Sequence, residues 1–175
     1  DALPILILVY LIRSHFKMVE KITKGIKISV QTKYEGRHLQ KEVLLYAFSY
    51  FITIENQSND IVQLLSRKWE IYDSLNQNEI VIGDGVVGQV PVLEPDERYT
   101  YQSNCLLVSS IGAMKGHFNM INYTDKSTFK VFVPTFQLAQ KEVLNGKRHQ
   151  AFQKTMPYKS LPFFEIQKER PSFQN

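Results

Sequence analysis

Val43-Leu44-Leu45-Tyr46-Ala47-Phe48-Ser49-Tyr50-Phe51-Ile52-Thr53-Ile54-Glu55-Asn56 is the stretch that decides the fold. Phe48, Tyr50, Ile52 and Ile54 recur at every second residue, the repeat of an extended strand and not of a helix. Ala47, Ser49, Phe51 and Thr53 fall on the opposite face, so the strand is expected to be central and covered on at least one side. The same alternation continues outward. Upstream, Ile26, Ile28 and Val30 interleave with Lys27, Ser29 and Gln31. Downstream, the polar run 56–60 turns the chain back into a strand over 61–73, with Leu65, Trp69 and Ile71 expected to share a face. Further strands are expected over 79–82, 86–92, 97–103, 113–122 and 128–136, with turns at 93–97 and 122–126. No segment between Lys24 and Phe136 has the length and period of a core helix. Short strands separated by turns predict an all-β sandwich.

The ends of the chain read differently. Residues 2–12 form an unbroken apolar run, shorter than the roughly 20 residues a membrane-spanning helix needs. No basic start or small-residue cleavage site accompanies it, and Met18 stands just ahead of the first strand pattern. Residues 1–17 are therefore expected to be a leader or translation artefact, with the end of a membrane anchor as the alternative, residues 18–140 the domain, and residues 141–175 a basic C-terminal extension. Of 21 basic and 17 acidic residues, seven bases and three acids lie from Lys141 onward, which leaves fourteen of each before it. The excess positive charge thus belongs to the extension. Its aromatics could stack on nucleic-acid bases, but a solvated tail whose rings dock on the domain is the simpler expectation, and nucleic acid is not favoured as a partner. The one cysteine, Cys105, cannot form an internal disulfide or begin a paired-cysteine zinc cluster. That usage fits a reducing, cytoplasmic setting, and the shortness of the apolar run 2–12 argues against a membrane partner.

Gly83-Asp84-Gly85-Val86-Val87-Gly88 has the spacing G-x-G-x-x-G. In a dinucleotide-binding fold these glycines end a strand and open a helix whose amides hold a pyrophosphate. Here Val86, Val87, Val90 and Val92 are β-branched, and Pro91 and Pro95 follow, which argues against that helix. Two readings of the glycines remain. They shape a hairpin or bulge and bind nothing, or their free amides form an anion nest, with Asp84 opposing a bare phosphate. Arg67 shares the Trp69 face, so it needs a carboxylate or carbonyl partner at the rim, or it flanks the glycine loop and faces an anion. The candidate ligand-binding residues are thus Gly83, Asp84, Gly85, Gly88 and Arg67.

Val62 to Trp69, Gly83 to Gln89 and Gly112 to Met120 resemble, in order and spacing, the successive signatures of the ApaG family, and the resemblance extends over residues 22–140. It implies a fibronectin type III or immunoglobulin-like β-sandwich with flanking extensions. It also implies links to cobalt tolerance and magnesium efflux, protein recognition by related domains, and a pyrophosphate or nucleotide site on Gly83, Gly85 and Gly88.

No catalytic set stands out. His117 shares an outer face with Lys115 and Asn119, opposite Met114, Phe118 and Met120, and a metal site with Asp84 or Asp125 is not demanded by any spacing. The expectation is a non-enzymatic binding module without cofactor or resident metal, recognising a protein, with room for a phosphate-bearing small ligand at the loop. Self-pairing through an edge strand is open to it. The alternatives are a metal-dependent hydrolase of a dinucleotide or pyrophosphate, using His117 or Asp84, and nucleic-acid binding through residues 141–175.

Overall fold

The computed structural model describes residues 18–140. The expected leader and basic extension lie outside the described residues. Within them the chain is extended throughout, as nine strands: β1 (Val19–Thr23), β2 (Ile26–Gln40), β3 (Val43–Asn56), β4 (Val62–Asp73), β5 (Glu79–Asp84), β6 (Val92–Leu93), β7 (Arg98–Leu107), β8 (Ile111–Asn122) and β9 (Thr128–Ala139). One antiparallel sheet runs β1-β2-β3-β7. The other runs β5-β4-β8-β9, with β6 beside the start of β4. The all-β sandwich expected from the alternation is what the chain forms.

Phe48, Tyr50, Ile52 and Ile54 of β3 are buried, as the pattern required, and β3 is central between β2 and β7. They meet Trp69, Phe118 and Phe136 from the other sheet. Trp69 packs edge-on against Phe118 and Phe136, with ring centroids 5.9 and 6.0 Å away, and against Tyr50 at 5.9 Å. Gly116, opposite Trp69 in the β4–β8 ladder, makes room for that ring: a Cβ there would lie 2.1 Å from the Lys68 carbonyl oxygen and 2.8 Å from Trp69 Cε3. Asn56, fully buried, ties the β3–β4 turn together. Its Nδ2 donates to the Asp60 and Leu93 carbonyls, and its Oδ1 accepts from the Ser58 amide.

The structure corrects the sequence reading in two places. A strand over 86–92 does not form. Gly85, Val87 and Gly88 all have positive φ (55°, 49° and 71°), so the chain doubles back there and only Val92–Leu93 pairs with β4. Leu64, not Leu65, takes the fully buried position, because a bulge between Leu64 and Ser66 inserts Leu65 as an extra residue and shifts the phase of β4 by one. Beyond the bulge, Arg67, Trp69 and Ile71 fall opposite Phe118, Gly116 and Met114 of β8, on the core-facing side.

Candidate functional site

The glycine run is a hairpin. The Val86 amide donates to the Gln89 carbonyl at 2.8 Å and the Gln89 amide returns to Val86 at 3.0 Å, with Val87 and Gly88 as the two central residues. Positive φ at both makes it a type I′ turn, whose twist suits a tight hairpin. Gly85 cannot be replaced without movement, since a Cβ would lie 2.1 Å from the Gln89 carbonyl oxygen. No helix follows. The pyrophosphate geometry of a dinucleotide fold is therefore not built here.

Arg67 underpins the hairpin from the neighbouring strand. It is the cross-strand partner of Gly83, and its guanidinium fills the place of the missing side chain, with both terminal nitrogens 3.1 Å from where a Cβ would sit. Its Nη1 donates to the Asp84 and Gly85 carbonyls at 2.9 and 2.8 Å. The two roles open to Arg67 in the sequence, carbonyl partner at the rim and flank of the glycine loop, thus coincide. The structure brings together Arg67, Gly83, Asp84 and Gly85, with Gly88 at the tip. Three loop amides are engaged internally: Gly85 donates to Leu65 at 2.8 Å, and Val86 and Gln89 to each other. Among the described residues the amides of Val87 and Gly88 have no such acceptor, so any anion at the tip would be held by these two.

Val87 is the residue that sequence reasoning passed over. A β-branched side chain in the left-handed region is a true outlier, because its Cβ crowds the carbonyl that follows. It is also 61% exposed, so no packing compensates for the strain. The signal was present as a valine where a two-residue turn wants Asn, Asp or Gly, but it becomes readable only once the turn is located. Ile80 and Ile82 lie in the expected strand but face solvent, 61% and 68% exposed, which their apolar character alone does not signal.

The other chemically capable groups sit elsewhere. His117 lies on the outer face of β8, stacked edge-on to Phe132 at 6.1 Å, in a shallow groove with Lys21, Glu70 and Lys115. Partial burial, then the nearby Lys130 and Lys68 charges, hold its pKa below the ordinary value. His117 and Asp84 lie on strands separated by β4 and are two residues out of lateral register with each other. Asp125 is occupied by the Ser127 amide and hydroxyl. Among the described residues no group of three or more His, Cys, Asp or Glu side chains could hold a metal. Burial pushes the Cys105 thiol up to about 12, which removes it as a nucleophile at neutral pH. Tyr101 is buried with its hydroxyl unpartnered among the described residues, and burial raises its pKa well above the ordinary value.

Comparison with known proteins fits this arrangement. The ApaG domain model matches residues 37–122, which contain β3, β4, the glycine hairpin and β8. Protein ApaG of Vibrio cholerae serotype O1 is 42% identical over 120 residues, covering 69% of this chain and 94% of that protein. The chain belongs to the ApaG family. Protein ApaG of Brucella canis is 37% identical over 131 residues, covering 73% of the chain and all of that protein. Among solved structures, the Northeast Structural Genomics target SoR45 superposes with a TM-score of 0.66 at 31% identity, covering 73% of this chain and 96% of that one. A Bordetella pertussis protein described as ApaA follows at 0.61 and 33%, covering 66% and 94%. The ApaG sandwich is thus shared, and the resemblance carried by the three sequence motifs holds. In this ApaG chain no described helix is long and apolar enough to cross a membrane.

Proposed function

We propose that this ApaG domain is a non-catalytic recognition module that contacts a protein partner through the glycine hairpin. The observation that carries it is Val87: an apolar side chain held in a strained backbone conformation and left in solvent. Strain of this kind persists at sites where the conformation itself is used, and Val90, 49% exposed on the returning arm, extends the apolar tip. Arg67 and Gly85 then act as scaffolding, locking the tip to β4. A phosphate-bearing ligand at the tip is a subsidiary proposal supported by the two amides of Val87 and Gly88. Under this reading the cobalt and magnesium associations implied by the family run through the recognised partner, in the cytoplasm, and not through a metal held by this chain.

The test is Val87→Asn. Asparagine tolerates left-handed φ, so the variant is expected to gain about 1 kcal/mol and a Tm rise of roughly 3–6 °C, while proteins captured by the wild-type chain from a low-salt native lysate are lost. Equal capture by both forms sinks the proposal. Addition of inorganic pyrophosphate during capture separates the two readings, because only an anion site at the tip makes recovery sensitive to it.

A further inference from the structure

The sandwich has two strand edges on the side away from β1 and β9, and they differ in chemistry. On the far side β9 lies against β1, the Phe132 amide donating to Thr23 Oγ1 at 3.3 Å, so each of these edges is partly covered by the other. On the near side β7 and β5 each have a hydrogen-bonded neighbour on one side only among the described residues. The outer face of β7 carries Arg98, Thr100, Gln102 and Asn104, polar groups that discourage pairing. The outer face of β5 carries Ile80 and Ile82 in solvent. An apolar row on an unpaired edge is the feature that natural sheets normally avoid.

The main-chain direction of β5 selects how it can be used. The Gly85 amide bonds to Leu65 of β4. By alternation Gly83, Val81 and Glu79 turn their main-chain groups toward β4, and Ile82 and Ile80 turn theirs to the open edge. An antiparallel copy of β5 related by a two-fold axis through Val81 sets Ile80 opposite Ile82 of the second copy, and the reverse. Both hydrogen-bonded positions are then isoleucine pairs on the outer face. The same register sets Glu79 opposite Gly83 of the second copy. That is the position whose empty side-chain place is filled by the Arg67 guanidinium. Glu79 is exposed and neither it nor Arg67 has an ion-pair partner among the described residues. Laterally adjacent residues share a face in an antiparallel sheet, so each Glu79 meets an arginine across the axis, twice by symmetry.

We infer that β5 is a self-association edge, joining two copies of this chain in the Ile80–Ile82 register with reciprocal Glu79–Arg67 ion pairs. One short strand thus supplies hydrogen-bond direction, apolar complementarity and charge complementarity for the same isologous contact. The inference is independent of the hairpin's partner, since Val87 lies beyond the paired residues.

The experiment is sedimentation velocity on the full chain from low to several hundred micromolar. The wild type is expected to form a dimer that weakens with added salt. Ile82→Lys and Glu79→Lys, both at exposed positions, are each expected to weaken it at least tenfold with unchanged circular dichroism. Val81→Cys under mild oxidation is expected to give a covalent dimer, because the axis brings the two Val81 positions together as a non-hydrogen-bonded pair within disulfide reach. Gln77→Cys, off the axis, is not, and the buried Cys105 does not compete. A wild type monomeric throughout, a dimer indifferent to either lysine substitution, or crosslinking through Gln77→Cys in place of Val81→Cys overturns the proposal.

Discussion

Asp73 closes the end of β4 onto the turn between β7 and β8, and removing its charge has a consequence that can be worked through. Its Oδ2 accepts from the Val108 amide at 2.6 Å, and its Oδ1 from the Ser109 and Leu75 amides at 3.2 and 3.1 Å. The first two are partly buried. Hydrogen bonds to a charged acceptor contribute about 1.5–3 kcal/mol each. Asp73→Asn keeps one acceptor oxygen but turns an NH2 toward the Val108 amide, so the expected loss at pH 7 is about 2 kcal/mol. Burial pushes the Asp73 carboxyl up, but hydrogen bonds from Ser109 and from the Leu75 and Val108 amides outweigh it and hold its pKa below the ordinary value. A carboxyl with a lowered folded pKa contributes stability that is present above its unfolded value of about 3.9 and is lost as the pH falls through the folded value. The gap between wild type and Asp73→Asn is therefore largest at neutral pH and closes below about pH 4. Urea unfolding at pH 7 and pH 3 reads both. A variant equal to wild type at pH 7, or a gap of the same size at both pH values, refutes the reasoning.

Gly116→Ala drives a methyl group into the Lys68 carbonyl and the Trp69 ring, and is expected to cost about 3 kcal/mol or more; a loss under 1 kcal/mol in urea unfolding shows that β4 and β8 can part at no great cost. Tyr101→Phe removes a buried hydroxyl that has no partner among the described residues, so stability should stay level or rise by about 1 kcal/mol. A clear fall in Tm instead reveals a bound water or group that the hydroxyl serves.

What the sequence disclosed and what it concealed divide along physical lines. Period-two burial is set residue by residue, and so Phe48, Tyr50, Ile52 and Ile54 announced β3, just as Met114, Phe118 and Met120 announced the inner face of β8. A bulge has no such signature. The single inserted residue at Leu65 exchanged Leu64 for Leu65 in the core, and nothing in the local pattern of two adjacent leucines could tell them apart. Four of the candidate residues, Arg67, Gly83, Asp84 and Gly85, do come together, yet their arrangement depended on one tertiary fact: the Arg67 guanidinium lies over Gly83 and donates to the Asp84 and Gly85 carbonyls. The valines 86, 87, 90 and 92 were read by propensity as a strand, and the cross-hairpin bonds between Val86 and Gln89 overrode that preference at Val87.

Amide hydrogen exchange across residues 83–93, followed by NMR, tests the central claim most directly. A strained two-residue tip locked to β4 predicts slow exchange at Gly85, Val86 and Gln89 and fast exchange at Val87 and Gly88. Continuous protection from Val87 through Val90 would mean a strand or helix in place of the hairpin, and the recognition tip would not exist.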